Sequence, residues 1–591
     1  MLTLAREATH ITLAQIYVRL LSAAAFLPDA LALSAQLLKE GGRSLDAKTL
    51  TMIANQSTPN QQADHLLAAQ VTEYASENAG ALKMLIQQLE AAGYPHAAAT
   101  AEYRLVQACR LLADQQAEAP THDLAHALNN YASRLGRMNR YLEALAPAKE
   151  SIGLFRELAS RNTAIYNSDL AHALDTSARC LSDLNRHVDA LAPAAESIEI
   201  YRELASRDPD THNPDLARAL DNYALCLDGL NRHLDALPSA EESIEIYREL
   251  ASRDPDTHNP DLAGALNNHA TRLSGLNRHF DAIATAKESL DLFRELASRN
   301  PETYTADLAK GLNNHAEHLG GLNRRLDALA AAKEAVDLYR ELSERQPQTN
   351  NPSLAVALVN YALRLGGVNR GLDALVAAKE GIALHRGLAA RDPETYNPGL
   401  ARALVLYANC LGDVNRHDDA LAPAKQAVGL SQALADGDAE AHTPDLARAL
   451  DAYANRLGDA NRHYDALTRA EQSVALFREL ADRDLEAHSP DLARALNNYA
   501  NRLGVVNRFH DALTPASQSV DLLRALASRN PETHLPHLVI ALSTYGQVLK
   551  HYGLLGDAEK ADWERAAALK TLRAMTHKDA VLSSENGENH G

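Results

Sequence analysis

Histidine is the residue type in this sequence that most readily suggests chemistry, because imidazole binds metal ions and transfers protons near neutral pH. The chain has 25 histidines. Ten of them occupy two recurring positions, which are His187, His233, His279, His417 and His463 in one turn and His212, His258, His442, His488 and His534 in another. A zinc site needs three or four ligands that converge on one point, whereas equivalent residues of a repeat array form a row with a spacing of roughly 10 Å. We predict that these histidines pack the turns and bind no metal.

The other groups able to do chemistry are few. His315 and His318 are the only close histidine pair identified, and with no third ligand nearby we expect them to be solvated. The four cysteines form no CxxC motif and no close pair, which excludes a disulfide framework and favours a reducing compartment. Cys180, Cys226 and Cys410 share one position on a helix flank, where a small buried thiol is expected.

Enzymatic motifs are absent from the sequence. It contains no glycine-rich phosphate loop, no dinucleotide fingerprint, no HExxH and no GxSxG. We therefore predict a protein that is not an enzyme and that needs no cofactor and no metal.

A 46-residue repeat organises most of the chain without a single insertion. Its nine copies cover residues 123–536, and positions 1 to 46 are counted from the first residue of each copy. The copies open at Asp123, Asp169, Asp215, Asp261, Asp307, Ser353, Gly399, Asp445 and Asp491.

Each repeat is predicted to form two helices, A and B, because its apolar residues are spaced by three and four. In the third copy, helix A is expected to begin at Asn213-Pro214 and to stop at Asn231, and helix B to run to about Arg253. An Asn stands at the A–B turn in all nine copies, which predicts a left-handed helix cap. The recurrent proline at position 25, for example Pro147, is expected in the first turn of helix B.

The helix pair resembles the tetratricopeptide repeat, with its small residues at Ala224, Ala236 and Ser243. The longer unit and the Asn-Asn-Tyr-Ala run that begins at Asn129 are similar to the kinesin light chain type and its bacterial relatives. The resemblance implies an all-α, right-handed superhelical solenoid of antiparallel helix hairpins. It indicates little about function, because this fold binds many unrelated partners.

Positions 4, 8, 11 and 15 of helix A share a side away from the apolar stripe, and in tetratricopeptide arrays that side lines the concave groove. A basic residue at position 4 followed by Asn at position 8 resembles the clamp with which chaperone-binding members hold a peptide carboxylate. An Asn amide both donates and accepts, so a row of them can pair with an extended peptide backbone, although a merely solvated polar face remains the alternative. The candidate contacts are Arg218 and Asn222, Asn268, Lys310 and Asn314, and Arg494 and Asn498.

The same face becomes apolar in the sixth and seventh repeats. A contiguous apolar patch in a polar groove is costly to expose unless something covers it. The sequence predicts a pocket for an apolar anchor there, although coverage by the chain itself or neutral drift would explain the same residues. The patch residues are Val356, Val359, Leu363, Val405 and Leu406, flanked by Asn360 and Arg402.

The segments outside the nine repeats are predicted as a small helical domain or cap at 1–76, degenerate repeats at 77–122 and 537–576, and a disordered polar tail at 577–591. The formal net charge of the 591 residues is −19, so a phosphate backbone or an anionic membrane would be repelled. No segment reads as a signal peptide or membrane span. We expect a cytoplasmic protein that binds neither nucleic acid nor membranes.

Two functions fit these features. The first is a non-enzymatic scaffold or adaptor that binds an extended peptide or partner protein in the concave groove. The alternative is a ligand-gated regulator, in which the solenoid senses a peptide and controls the N-terminal region.

Overall fold

The chain is described by a computed structural model over residues 79–91, 94–113, 119–138, 140–184, 186–230, 232–276, 278–483, 485–529 and 531–588. The predicted N-terminal domain at 1–76 lies outside these residues. The described part is all-α and contains no strand. Its helices are α1 Ala79–Ala91, α2 Pro95–Ala113, α3 Ala119–Arg137, α4 Tyr141–Arg161, α5 Thr163–Asp183, α6 His187–Arg207, α7 Pro209–Gly229, α8 His233–Arg253, α9 Pro255–Gly275, α10 His279–Arg299, α11 Pro301–Gly321, α12 Arg325–Arg345, α13 Pro347–Gly367, α14 Gly371–Ala389, α15 Pro393–Asp413, α16 His417–Gly437, α17 Ala439–Asp459, α18 His463–Arg483, α19 Leu485–Val505, α20 Phe509–Arg529, α21 Pro531–Tyr552 and α22 Leu555–Glu588.

Helix A begins earlier than the sequence predicts. In the third repeat the N-cap is Asp208, whose carboxylate accepts a hydrogen bond from the Thr211 N–H, and Pro209 is the first helical residue. Pro214 therefore lies inside α7. Asp-Pro and Asn-Pro are both start signals, and the structure uses the first of the two.

The prolines of helix B are also farther inside than predicted. Pro147 lies in the second turn of α4, which begins at Tyr141, rather than in the first turn. A proline there removes one backbone hydrogen bond. The helix continues through it because the apolar stripe of α4 is packed against both neighbouring helices, and tertiary packing supplies most helix stability in proteins.

The predicted Asn cap is confirmed at the five copies whose turn is described. Asn323, Asn369, Asn415, Asn461 and Asn507 have φ between 58° and 61°. The Arg416 N–H donates to the Leu411 carbonyl at 2.8 Å and the Asn415 N–H to the Gly412 carbonyl at 2.9 Å, which is the Schellman pattern. The equivalent Asn231 of the third repeat lies outside the described residues.

The positive φ of Asn415 predicts how substitutions there change the free energy of unfolding. Asn415→Gly should leave the free energy of unfolding within about 0.5 kcal/mol of the wild type, because glycine adopts positive φ freely. Asn415→Val should lower it by about 1–2 kcal/mol, because a β-branched residue is strained there. Urea denaturation followed by circular dichroism measures both, and equal costs for the two changes would point to a role for the amide side chain instead.

Consecutive helices pack against each other from α1 to α7 and from α9 to α22. The chain divides into two compact units, Met1–Leu250 and Ala251–Gly591. Within each unit the A helices of neighbouring repeats also lie against one another, whereas the B helices do not come into comparable contact. Each unit therefore curves with its A helices on the inner side. In the second unit this curvature brings Thr533 Oγ1 within 3.4 Å of His279 Nε2.

Two small residues, at positions 3 and 29, allow helices A and B to pack closely. Position 3 is a fully buried alanine such as Ala217 or Ala447. The hydroxyl at position 29 of helix B donates to its carbonyl, as from Ser243 to Ala217 at 2.8 Å and from Ser473 to Ala447 at 2.9 Å. A larger side chain at either position would separate the helices; position 3 is alanine in all nine copies, and position 29 is serine in six copies and alanine or glycine in the other three.

The last helix extends into the segment predicted as a disordered tail. α22 runs to Glu588, so its backbone is helical from residue 577 to residue 588. The sequence of this stretch contains no proline and has Ala580, Val581 and Leu582 in a row, which allows the helix to continue. Among the described residues, no helix is both long and apolar enough to cross a bilayer.

Candidate functional site

The predicted face of the A helices is accessible to solvent at positions 4 and 11. Val356 and Leu363 on α13 are 46% and 48% exposed, and the side chain of Arg402 on α15 is 67% exposed. Position 8 is half-buried in six of the nine copies, because it lies against the A helix of the preceding repeat. The face therefore alternates exposed residues with residues that sit between helices.

The first of the three clamp-like pairs holds a carboxylate of the chain itself. Asp175, at position 7 of the second repeat, is 3% exposed. Its Oδ1 accepts from Asn222 Nδ2 at 2.8 Å and its Oδ2 from Arg218 Nε at 3.2 Å. Arg218 also lies 2.7 Å from Asp215. The basic residue and the Asn thus join two repeats rather than stand free in a groove.

The same arrangement recurs in the second unit. Asp451, at position 7 of the eighth repeat, is 1% exposed and accepts from Arg494 Nη1 at 3.1 Å and from Asn498 Nδ2 at 3.1 Å. Burial raises the pKa of Asp451, although the charge of Arg494 acts in the opposite direction. Arg494 and Asn498 are the donors that a carboxylate clamp needs, but the carboxylate that they hold is Asp451 of the preceding A helix, α17.

The Asn row makes the same contact between repeats with amide acceptors. We call this contact, from the side chain at position 8 to the side chain at position 7 of the preceding repeat, a rung. Asn314 Nδ2 donates to Asn267 Oδ1 at 3.3 Å, and Asn360 Nδ2 donates to Asn313 Oδ1 at 3.1 Å. Asn268 is half-buried at the same position of α9, and Lys310 is exposed one turn before Asn314. A rung from position 7 to position 8 of the next repeat is therefore a structural device, which sequence periodicity alone did not reveal.

The apolar patch replaces these rungs in repeats six to eight. Positions 7 and 8 become Val359 with Leu406, and then Val405 with Ala452. The side chains of Val359 and Val405 pack against a buried cluster that contains Leu404. Leu406 packs against the preceding cluster. The patch is thus divided, with Val359, Val405 and Leu406 half-buried between helices and Val356 and Leu363 exposed beside them.

A second apolar row lies at the start of the B helices and was missed from the sequence. Position 20 carries a large exposed apolar side chain in seven of the nine copies, and this recurrence was the available signal. Arg at position 18 pairs with Asp at position 21 beside it, for example Arg370 with Asp373 at 2.7 Å. The row residues are Leu142, Val188, Leu234, Phe280, Leu326, Leu372 and Tyr464.

Two of the recurring histidines contact a side chain of their own turn, and all four cysteines are buried. His233 Nδ1 lies 3.0 Å from Asp228 Oδ1, and His187 Nδ1 lies 3.1 Å from Ser182 Oγ, in both cases five residues back. Cys180, Cys226 and Cys410 are buried, and burial raises the pKa of each thiol to about 11. The prediction of small buried thiols is confirmed.

The expectation for His315 and His318 is wrong. His318 is only 2% exposed, and neither of its ring nitrogens has a hydrogen-bond partner among the described residues. Burial lowers the pKa of both rings to about 4. The i, i+3 spacing gave no sign of this, because burial depends on where α11 meets its neighbours.

The structure also contains a close histidine pair that was overlooked. His122 and His126 are four residues apart on α3 and face Asp169 of α5. Within the residues described, these three form a group of metal-ligating side chains that converges on one point. The His-x-x-x-His spacing was the signal available in the sequence.

The fold is a tetratricopeptide-like array of helix hairpins, and that class rests on the chain's own helices. Comparisons with protein-family models and with curated proteins gave no match. Similar solved structures include BtubC (BKLC) from P. vanneervenii, with 16% identity and a TM-score of 0.35 over 43% of this chain and 92% of that chain. Aspartyl phosphate phosphatase F from Bacillus subtilis has 14% identity and a TM-score of 0.42 over 68% and 93%. A Rap protein complexed with competence and sporulation factor has 15% identity and a TM-score of 0.37 over 66% and 99%. Scores this low carry no conclusion about what this chain binds.

Proposed function

We propose that this protein is a non-enzymatic scaffold or adaptor that binds an extended segment of another protein on the face of its A helices. The anchor is the exposed aliphatic pair Val356 and Leu363 on α13, with Leu406 of the next A helix at its base. The observation that supports this proposal is the exposure of two large aliphatic side chains where the polar rungs are interrupted. Aliphatic side chains left in water at such a break favour a partner that covers them.

The polar groups beside the pair supply specificity in this proposal. The nearest carboxylate oxygen to Arg402 is that of Asp445, at 3.9 Å, so its guanidinium can hold an acidic group of a partner. Asn360 uses its amide N–H on Asn313, which leaves its Oδ1 to accept from a peptide N–H. The segment bound here therefore has an apolar side chain followed or preceded by Asp or Glu.

The rungs restrict where binding energy can come from. Arg218, Asn222, Arg494 and Asn498 already donate to buried carboxylates of the chain. A peptide that took these donors would leave a buried Asp without its partners, which costs free energy. The main binding energy in this proposal therefore comes from the exposed pair on α13 and not from these donors.

Affinity capture from the native cell, followed by mass spectrometry, identifies the partner, and Val356→Asp and Leu363→Asp then test the site with the purified pair. Each change should abolish capture, because a carboxylate in the interface must lose its hydration. Circular dichroism and the melting temperature should stay within error, since both side chains are about half exposed. Val359→Asp and Leu406→Asp are less informative, because they place a charge between packed helices.

The matched control is Leu372→Asp, in the same repeat but on the exposed row at the start of α14, where the side chain is 73% exposed. It should capture the partner at wild-type strength. Capture by both α13 variants at wild-type strength would exclude the proposed site. Loss of capture by Leu372→Asp alone would place the site on the row at position 20 instead.

A further inference from the structure

We propose that His122, His126 and Asp169 form a binding site for a divalent transition metal ion that joins the first two repeats. His122 Nε2 lies 3.0 Å from His126 Nε2 and 3.2 Å from Asp169 Oδ2, and His126 Nε2 lies 3.5 Å from Asp169 Oδ1. All three residues are half-buried, and their ligand atoms lie within 4.8 Å of one another.

The equivalent position in another copy of the repeat accommodates a cation. Arg448 and Asp491 occupy the same two positions, 4 and 1 of the next repeat, that His126 and Asp169 occupy. There the guanidinium Nη2 lies 2.9 Å from the carboxylate Oδ2. In the first repeat this permanent charge is replaced by an imidazole. A bound metal ion restores the missing positive charge next to Asp169.

A second imidazole, that of His122, also lies beside Asp169. His122 occupies position 46, where most repeats have a proline such as Pro444. Its ring stands one helical turn before His126, with the ring centroids 4.4 Å apart. Two changes from the repeat pattern thus converge on one carboxylate, which a single random replacement would not produce.

The donor set suits zinc. Imidazole nitrogen and carboxylate oxygen bind Zn²⁺ at about 2.0–2.2 Å, which places tetrahedral ligand atoms roughly 3.4 Å from each other. The two imidazole nitrogens are 3.0 Å apart, and each lies 3.2 or 3.5 Å from one of the two carboxylate oxygens, which is close to that spacing. Histidines at i and i+4 present both nitrogens on one helix face. Three protein ligands leave the fourth position to water.

Neighbouring aromatic rings hold the imidazoles in place. Phe155 lies edge-on to His126 with centroids 5.1 Å apart, and Tyr166 lies 5.4 Å from His122. The ligands are therefore positioned before the ion arrives, and α3 and α5 are connected through it.

Zinc titration of the full chain, without a histidine tag and after treatment with a chelator, tests this site. Competition with a chromophoric chelator should show one tight equivalent in the wild type. His122→Ala and His126→Ala should each weaken it by at least about 100-fold, more than the loss of a supporting contact costs. Saturating Zn²⁺ should raise the melting temperature of the wild type and not that of His122→Ala or His126→Ala, because the ion binds the folded chain.

Two further variants separate metal binding from folding. His126→Arg rebuilds the ion pair seen between Arg448 and Asp491, so it should fold with a zinc-independent melting temperature and no tight site. His172→Ala removes the position-4 histidine of the next repeat and should bind zinc as the wild type does. The site is refuted if the wild type binds Zn²⁺ no more tightly than the double variant His122→Ala/His126→Ala, or if His126→Arg retains the tight equivalent.

Discussion

When the pH falls from 7.5 to 4.5, His318→Leu should lose about 2–3 kcal/mol less stability than the wild type. The ring of His318 is 2% exposed on α11, and burial lowers its pKa to about 4, with the nearby His315 and His279 acting in the same direction. The unfolded chain has an ordinary histidine pKa of about 6.5. Below that pH the unfolded state binds a proton that the folded state does not. Stability is therefore present above pH 6.5 and is lost as the pH falls through 4.

Urea denaturation of both proteins at the two pH values measures this difference. Leucine also removes two buried nitrogens that lack partners, so the variant should be at least as stable as the wild type at pH 7.5. His510→Leu is the control, because its side chain is 82% exposed, and it should follow the wild type at both pH values. If His318→Leu loses as much stability in acid as the wild type, His318 is not a source of the acid sensitivity.

Asp451→Ala should lower the free energy of unfolding by about 2–3 kcal/mol, because it removes the acceptor of a buried rung. Asn498 would lose both of its contacts with the carboxylate, at 3.1 and 3.2 Å. The full cost of breaking a buried ion pair is not expected, because Arg494 is partly exposed and keeps Asp491 at 2.9 Å. Denaturant midpoints of the full chain measure the loss.

Two matched variants test whether the rung itself is responsible. Asp451→Asn copies the rung of Asn267 with Asn314 and should cost less than about 1 kcal/mol. The double variant Asp451→Val/Asn498→Leu copies the rung of Val359 with Leu406 and should be more stable than Asp451→Val alone. If the two changes are additive, the residues at positions 7 and 8 are not coupled and the rung interpretation fails.

The rungs also explain why prediction of the candidate site was only partly successful. Helical spacing correctly placed Val356 and Leu363 on an exposed face of α13, because periodicity reports direction around a helix axis. It gave no information about what Arg218 or Asn498 would meet. Those contacts join residues 43 and 47 positions apart in the sequence. The relevant offset is set by the way in which one A helix packs against the next.

Local signals were likewise insufficient where two of them competed. Asp208-Pro209 and Asn213-Pro214 both mark a helix start, and only the structure shows that the helix begins at Pro209 and already exists before Pro214. The turn residue Asn415 was predictable, because positive φ is a property of a single residue and Asn tolerates it.

The repeat, its two helices, the Asn turns and the face on which Val356 and Leu363 lie were all predictable, because each depends on local spacing or on the conformational preference of one residue. Only the folded chain shows that residues of the next repeat donate to Asp175 and Asp451, that His318 is buried, and that His122 and His126 lie beside Asp169. These outcomes depend on the register between neighbouring helices, which arises from packing of whole side-chain surfaces and is not encoded in any single stretch of the chain.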